Sequence, residues 1–250
     1  MIRTILLTTA LALAAPLAAD DFSATADKIR AAMAADIRSE AETERDRNRK
    51  PVETLEFFGL RDDMKIVELL PGGGWYTKLL APTMAENGEY FAALGTGRVK
   101  ERLGGQPGFE KMSIVSEESN IYRPEGSRTY VLETEGLGVS DADMVLTFRN
   151  YHNFGAEGRA AMNRAAFDAL KSGGIYAVVD HTRRHMEGDS PENRRRIDPV
   201  LTIMEIQAAG LKLVDFSALH YRADDELRFE VGRKSVTGNT DRFTLKFVKP

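Results

Sequence analysis

The sequence predicts an α/β fold, with a mainly parallel central sheet, helices on both faces and a closing antiparallel hairpin. Three observations carry that expectation. Short apolar runs alternate with helix-like stretches, the pattern of strand–helix–strand crossovers. The last two apolar runs, Leu211 to Leu219 and Phe243 to Val248, have no helix between them and are expected to pair antiparallel. The stretch Lys65-Ile-Val-Glu-Leu-Leu-Pro-Gly-Gly-Gly-Trp-Tyr-Thr77 passes from an apolar run through three glycines into a helix start.

The elements follow in order. Residues 1–19 hold a basic Arg3, an apolar stretch from about Ile5 to Ala15 and then small residues, the pattern of a cleaved secretory signal peptide. The apolar stretch is too short to span a bilayer, so no stable membrane anchor is expected after cleavage. The chain contains no cysteine, so no disulfide supports it, and an ordinary core must. A periplasmic or secreted bacterial protein fits these features. Residues 20–50 read as an N-terminal helical extension, because Ile29, Met33 and Ile37 recur every four residues on one stripe. The run Glu44 to Lys50 reads as a solvated charged face.

Residues 51–250 read as one domain, the size that 250 residues accommodate. Pro51 suits a first helical turn and Gly59 ends that helix. Ile66 to Leu70 is the first strand. A helix from Trp75 to Met84 carries Pro82 as a kink, and Asn87-Gly88 turns the chain into a strand from Tyr90 to Leu94. Gly95 to Gly108 reads as irregular. Strands follow over Arg128 to Glu133 and Asp143 to Phe148, then a helix from Gly158 to Lys171 closed by Ser172-Gly173-Gly174, then a strand from Ile175 to Val179. A polar loop from Arg183 to Arg196 leads to a helix over Pro199 to Ala209.

With 42% hydrophobic and 29% charged residues the composition is that of a globular protein, and the formal charge of −4 gives no global attraction to nucleic acid. The chemistry must therefore come from the strand ends, where ligands sit in open α/β sheets. Gly72, Gly73 and Gly74 carry no Cβ, and a following helix offers free N–H groups, so the turn suits a nucleotide-like ligand or, equally, a close-packed corner. Gly72-x-Gly74-x-x-Thr77 has threonine where the dinucleotide fingerprint has its third glycine, and Phe91 to Leu94 lacks the acid that binds ribose. A nicotinamide site is thereby disfavoured.

The order of motifs resembles the class I S-adenosylmethionine-dependent methyltransferases over about residues 50 to 250. It is most similar to exported bacterial proteins predicted to be methyltransferases. The matching positions are Arg49-Lys50-Pro51, Val67 to Thr77, Asp143-Met-Val-Leu146 running into Asn150 and His152, Leu170 to Gly174, and Thr240 to Phe243. The resemblance implies a Rossmann-like methyltransferase fold. It also implies S-adenosylmethionine as cofactor, with Glu68 and the Gly72–Gly74 turn holding its methionine part and ribose. Pro71, Tyr76 and Asn150 join this expected cofactor site. Leu94 departs from the wider superfamily, which has an acid there for the ribose, so Thr96 is the expected substitute.

Methyl transfer needs an aligned acceptor and, for an oxygen acceptor, a base. His152 is the candidate base, since imidazole titrates near neutrality, and Asn150 the candidate orienting group. A loop-orienting role for His152 competes with this reading. Asp180, His181 and His185, with Glu187 or Asp189, have the ligand types of a divalent-metal site but match no signature spacing, so no metal is assigned. His220 and Trp75 read as structural. The expected activity is methyl transfer to a small-molecule acceptor. A non-catalytic binding or scaffold protein that keeps the fold is the rival reading.

Overall fold

The computed structural model describes residues 22–250, so the predicted signal peptide lies outside the described residues. Strands β1 (Lys65–Leu69), β2 (Glu89–Ala93), β3 (Met112–Val115), β6 (Ala142–Phe148), β7 (Leu170–His181), β8 (Lys212–Ser217) and β9 (Arg242–Val248) form one sheet in the order β3-β2-β1-β6-β7-β9-β8. The first five run parallel, and β9 is antiparallel to both β7 and β8. The expected mainly parallel sheet with a final hairpin is therefore present. Strands β4 (Asn120–Tyr122) and β5 (Val131–Glu133) form a separate antiparallel pair.

The central strands are apolar on both sides, so successive residues feed two cores. Val67, Leu69, Val145 and Val178 enter one, with α7 (Ala156–Ala169) packed through Met162, Ala165 and Ala169, and α8 (Pro199–Ala208) through Ile206. Ile66, Met144, Leu146 and Ala177 enter the other. There they meet α1 (Ser23–Met33), α4 (Pro51–Phe58), α5 (Thr77–Met84) and α6 (Gly97–Leu103). Helices cover both faces, as predicted. Among the described residues no helix is long and apolar enough to cross a membrane.

Three expectations need correction. The N-terminal extension is not one helix. After α1 the chain turns, and α2 (Glu40–Thr43) and α3 (Asp46–Arg49) are single turns. Arg38 causes the fold-back, because its guanidinium donates to the Met33 carbonyl at 2.9 Å and to Asp46 on two nitrogens. A Ser39–Glu42 capping box then restarts the helix. The apolar stripe survives this break, since Ile29 is fully buried with Met33 and Ile37 packed beside it.

Second, the glycine-rich stretch read as irregular contains α6, whose Val99 and Leu103 are buried four residues apart. Third, the charged run Glu44 to Lys50 is a solvated face only in part: Glu44, Arg45 and Arg47 are exposed, but Arg49 is 4% exposed. Its guanidinium lies 4.1 Å from the centre of the Trp75 ring.

The extension thus belongs to the core. Replacing Ile29 by Ala should lower unfolding free energy by about 2–4 kcal/mol in urea titration at unchanged m-value. A loss below about 0.5 kcal/mol would show that α1 adds nothing to the fold.

Candidate active site

In the parallel part of the sheet the strand order reverses between β1 and β6, and a crevice opens there beyond the carboxyl ends. Residues from both strand ends line a cleft of about 500 Å³. On the β1 side the chain leaves the strand through Leu70, at φ +54°, and enters the turn Pro71 to Gly74. Gly72 has φ +59°, a conformation that favours glycine. Gly74 has φ +86°, and a Cβ there would meet Leu103 Cδ1 at 2.9 Å and Val99 Cγ2 at 3.3 Å. The two sequence readings of these glycines therefore divide. Gly74 serves close packing of α6, while Pro71, Gly72 and Gly73 line the cleft.

Glu68 is 3% exposed and lines the same cleft. Its Oε2 accepts from the Thr77 hydroxyl at 2.7 Å and from the Tyr90 hydroxyl at 2.5 Å. This explains the threonine in place of the fingerprint's third glycine: its hydroxyl is needed by the carboxyl group. Burial raises the Glu68 pKa to about 7, although the two hydroxyls pull it down. Tyr90 was not anticipated from the sequence: the β1–β2 register pairs it with Ile66, two residues before Glu68 and so on the same face of the sheet.

The N-terminal extension forms the facing wall. Trp75 Nε1 donates to the Glu42 carbonyl at 2.9 Å, and Lys78 Nζ reaches the Glu42 carboxylate at 2.8 Å and the Ile37 carbonyl at 2.9 Å. These bonds fix Arg45 and Arg49 on the cleft. Burial lowers the Arg49 pKa to about 10. Tyr76 stacks on Phe148 with ring centres 3.6 Å apart, and burial raises its hydroxyl to about 12. Tyr76 is thus both packing and cleft wall. The Nε atoms of Arg49, Arg149 and Arg242 are buried without a hydrogen-bond partner. Arg49 and Arg149 line the main cleft, and all three border a small adjoining hollow.

At the β6 end, Asn150 donates Nδ2 to the Leu70 carbonyl at 3.0 Å and the Phe148 carbonyl at 3.1 Å, tying the two strand ends together. A 3₁₀ turn over Tyr151–Asn153 follows. His152 Nδ1 lies 2.5 Å from Asp180 Oδ1, and its backbone N–H donates to Asp180 Oδ2 at 3.0 Å. A carboxylate only accepts, so Nδ1 carries a proton in this pair and Nε2 is the ring nitrogen left outside it. The His152 side chain is 4% exposed and borders a second cavity of about 210 Å³.

The structure thus joins His152 to Asp180, which the sequence had grouped with His181 and His185. His181 instead meets the Thr240 hydroxyl at 2.9 Å, and burial pushes its pKa well down. His185 meets Asp198 at 2.8 Å. Thr96 is buried at the start of α6, outside both cavities. Leu94 is fully buried in the core, so β2 ends without a carboxylate in this position. His220 is structural as expected: it bonds Thr244 and the Arg49 carbonyl, and burial lowers it to about 4.

No family model matches the sequence, and no curated protein matches it. Solved structures do match in fold. A SAM-dependent methyltransferase from Aquifex aeolicus aligns with TM-score 0.56 at 13% identity, covering 90% of this chain and 98% of its own. The [4+2]-cyclase SpnF gives 0.52 at 13% identity over 92% and 93%. The glycopeptide N-methyltransferase MtfA gives 0.51 at 11% identity over 81% and 96%. The chain has the Rossmann-like fold of the class I methyltransferases. The cyclase shows that this fold alone does not fix a reaction.

The position of Glu68 makes stability depend on pH. Its folded pKa of about 7 lies above the ordinary 4.5, so the folded chain keeps a proton that the unfolded chain has lost. The stabilisation this gives is complete at low pH and lost as pH rises through about 7. Glu68→Gln does not titrate. Wild type relative to this variant should lose roughly 3 kcal/mol between pH 4 and 8 in urea titrations. A pH-independent difference would refute the assignment.

Proposed function

We propose that the chain is an S-adenosylmethionine-dependent methyltransferase acting on a small acceptor. The observation that carries this reading is the pairing of Glu68 with the bare Gly72–Gly73 backbone in one cleft at the β1–β6 reversal. The residues fit a zwitterionic amino-acid end. Glu68 offers a carboxyl group to an ammonium, and Arg45, Arg49 and Arg149 offer guanidinium groups to a carboxylate. The orphaned Nε atoms of Arg49 and Arg149 fit an anion in the same place. The β2 end contributes no acid, so binding rests on the β1 turn and the N-terminal wall.

S-adenosylmethionine supplies an electrophilic methyl group when bound. The chain's own residues orient the acceptor and take its proton. Asn150 holds the ends of β1 and β6 at fixed separation. His152, oriented by Asp180, offers Nε2 to an acceptor hydroxyl, with the positive imidazole then stabilised by the buried carboxylate.

Calorimetric titration of the purified chain with S-adenosylmethionine, S-adenosylhomocysteine and NAD tests this. Both sulfur compounds should bind at a 1:1 ratio and NAD should not. Absence of heat with either sulfur compound would sink the proposal. Binding without turnover on any acceptor would favour a non-catalytic role. With an active acceptor, His152→Ala should slow turnover roughly 100-fold or more while cofactor affinity stays unchanged. An unaltered rate would remove His152 from the chemistry.

A further inference from the structure

The cavity beside His152 has a composition that methyl transfer alone does not require. It is bordered by Arg123, Arg128, Arg194 and Arg195, against one carboxylate, Asp189. Arg128 pairs with Asp189 at 2.7 Å, and Arg195 pairs with Glu230. Among the described residues Arg123 and Arg194 have no acidic partner, so the rim carries two uncompensated positive charges. A cavity with such walls concentrates anions.

The rim is built rather than loosely draped. Arg196 is buried and bonds Asp225 through two nitrogens at 2.9 and 3.0 Å, while also donating to the carbonyls of Thr182 and Phe229. Asn193, also buried, accepts from the Ser190 N–H and donates to the Gly188 carbonyl. Between these two anchors sit Arg194 and Arg195, the latter at φ +65°. A non-glycine residue in that conformation costs about 1 kcal/mol or more and persists only where its surroundings hold it. On the opposite rim, the guanidinium of Arg123 lies 5.9 Å from the Tyr130 ring centre. His152 lines the same cavity, and the fully buried Asp180 backs it.

We propose that this arginine-lined cavity is the acceptor site and that the acceptor carries an oxyanion, a carboxylate or a phosphate. The volume of about 210 Å³ suits a small molecule. Arg123 and Arg194 would take the oxyanion, and the nucleophilic group would face His152. This assignment rests on the reading of His152 as the acceptor's base, but the anion site itself is tested without cofactor.

Inorganic phosphate and, separately, acetate are titrated into the full chain while the His152 ring resonances are followed by NMR, assigned with His152→Ala. One of the two anions should give a saturable shift, and the responsive one identifies the oxyanion class. The double variant Arg123→Ala/Arg194→Ala should weaken that binding at least about 10-fold, whereas Arg164→Ala, on the solvent face of α7, should not. No saturable shift with either anion would overturn the proposal. So would undiminished affinity in the double variant. Saturable binding without any affinity for S-adenosylmethionine would support the anion site while removing methyl transfer.

Discussion

Four neighbouring parallel strands end in non-glycine residues with left-handed backbone, and the site depends on that constraint. Leu70 follows β1 at φ +54°, Leu94 follows β2 at +62°, Ser116 follows β3 at +53° and Arg149 follows β6 at +60°. Each costs on the order of 1 kcal/mol or more against an ordinary conformation. Hydrogen bonds to the neighbouring strand or its exit hold three of them: Leu70 N–H donates to the Ala93 carbonyl at 2.9 Å, Leu94 N–H to the Ser116 hydroxyl at 3.0 Å and Arg149 N–H to the Val179 carbonyl at 2.7 Å. Each exit turns sharply, so the glycine turn and the Asn150–His152 segment leave from one edge. Burial of Leu94 offsets its strain with about 2 kcal/mol of apolar transfer.

This edge also gathers charge into a place where charge is costly. Glu68 and Asp180 are buried carboxyl groups, and Arg49, Arg196 and Arg242 are buried guanidinium groups. Asp180 and Arg196 are satisfied, the first by the His152 ring and the backbone N–H groups of His152 and His181, the second by Asp225. Arg49 and Arg242 are only partly satisfied, each with a buried Nε lacking an acceptor. Buried polar groups without partners are rare in folded chains and concentrate at functional sites. Arg49 lies on the cleft with the Gly72 turn and Arg242 on the adjoining hollow, where a ligand rather than stability accounts for them.

Much of this was legible in the sequence, and the failures have physical causes. The mainly parallel sheet and the final hairpin followed from alternating apolar runs and the missing crossover helix. The helix α6 was hidden by Gly95, Gly97, Gly104 and Gly105, which punctuate it on both sides, although Val99 and Leu103 carried its period. The extension read as one helix because its apolar stripe is continuous, and a single arginine, Arg38, folds it back across the cleft. Asp180 was grouped with its sequence neighbours because nothing local links it to His152, 28 residues away. The register of β6 on β7, which sets Phe148 beside Val179, brings the two together. The carboxyl edge gathers these residues, but partners across adjacent strands needed that register.

On the reading we propose, the cleft at the β1–β6 reversal holds the amino-acid end of an S-adenosyl cofactor. A crystal structure of the chain with S-adenosylhomocysteine tests it most directly. The homocysteine ammonium is expected within hydrogen-bond reach of Glu68 and the carboxylate among Arg45, Arg49 and Arg149, with the ligand passing the bare Gly72–Gly73 backbone. Ligand density confined to the cavity of Arg123 and Arg194, or lying away from Glu68 altogether, would contradict it.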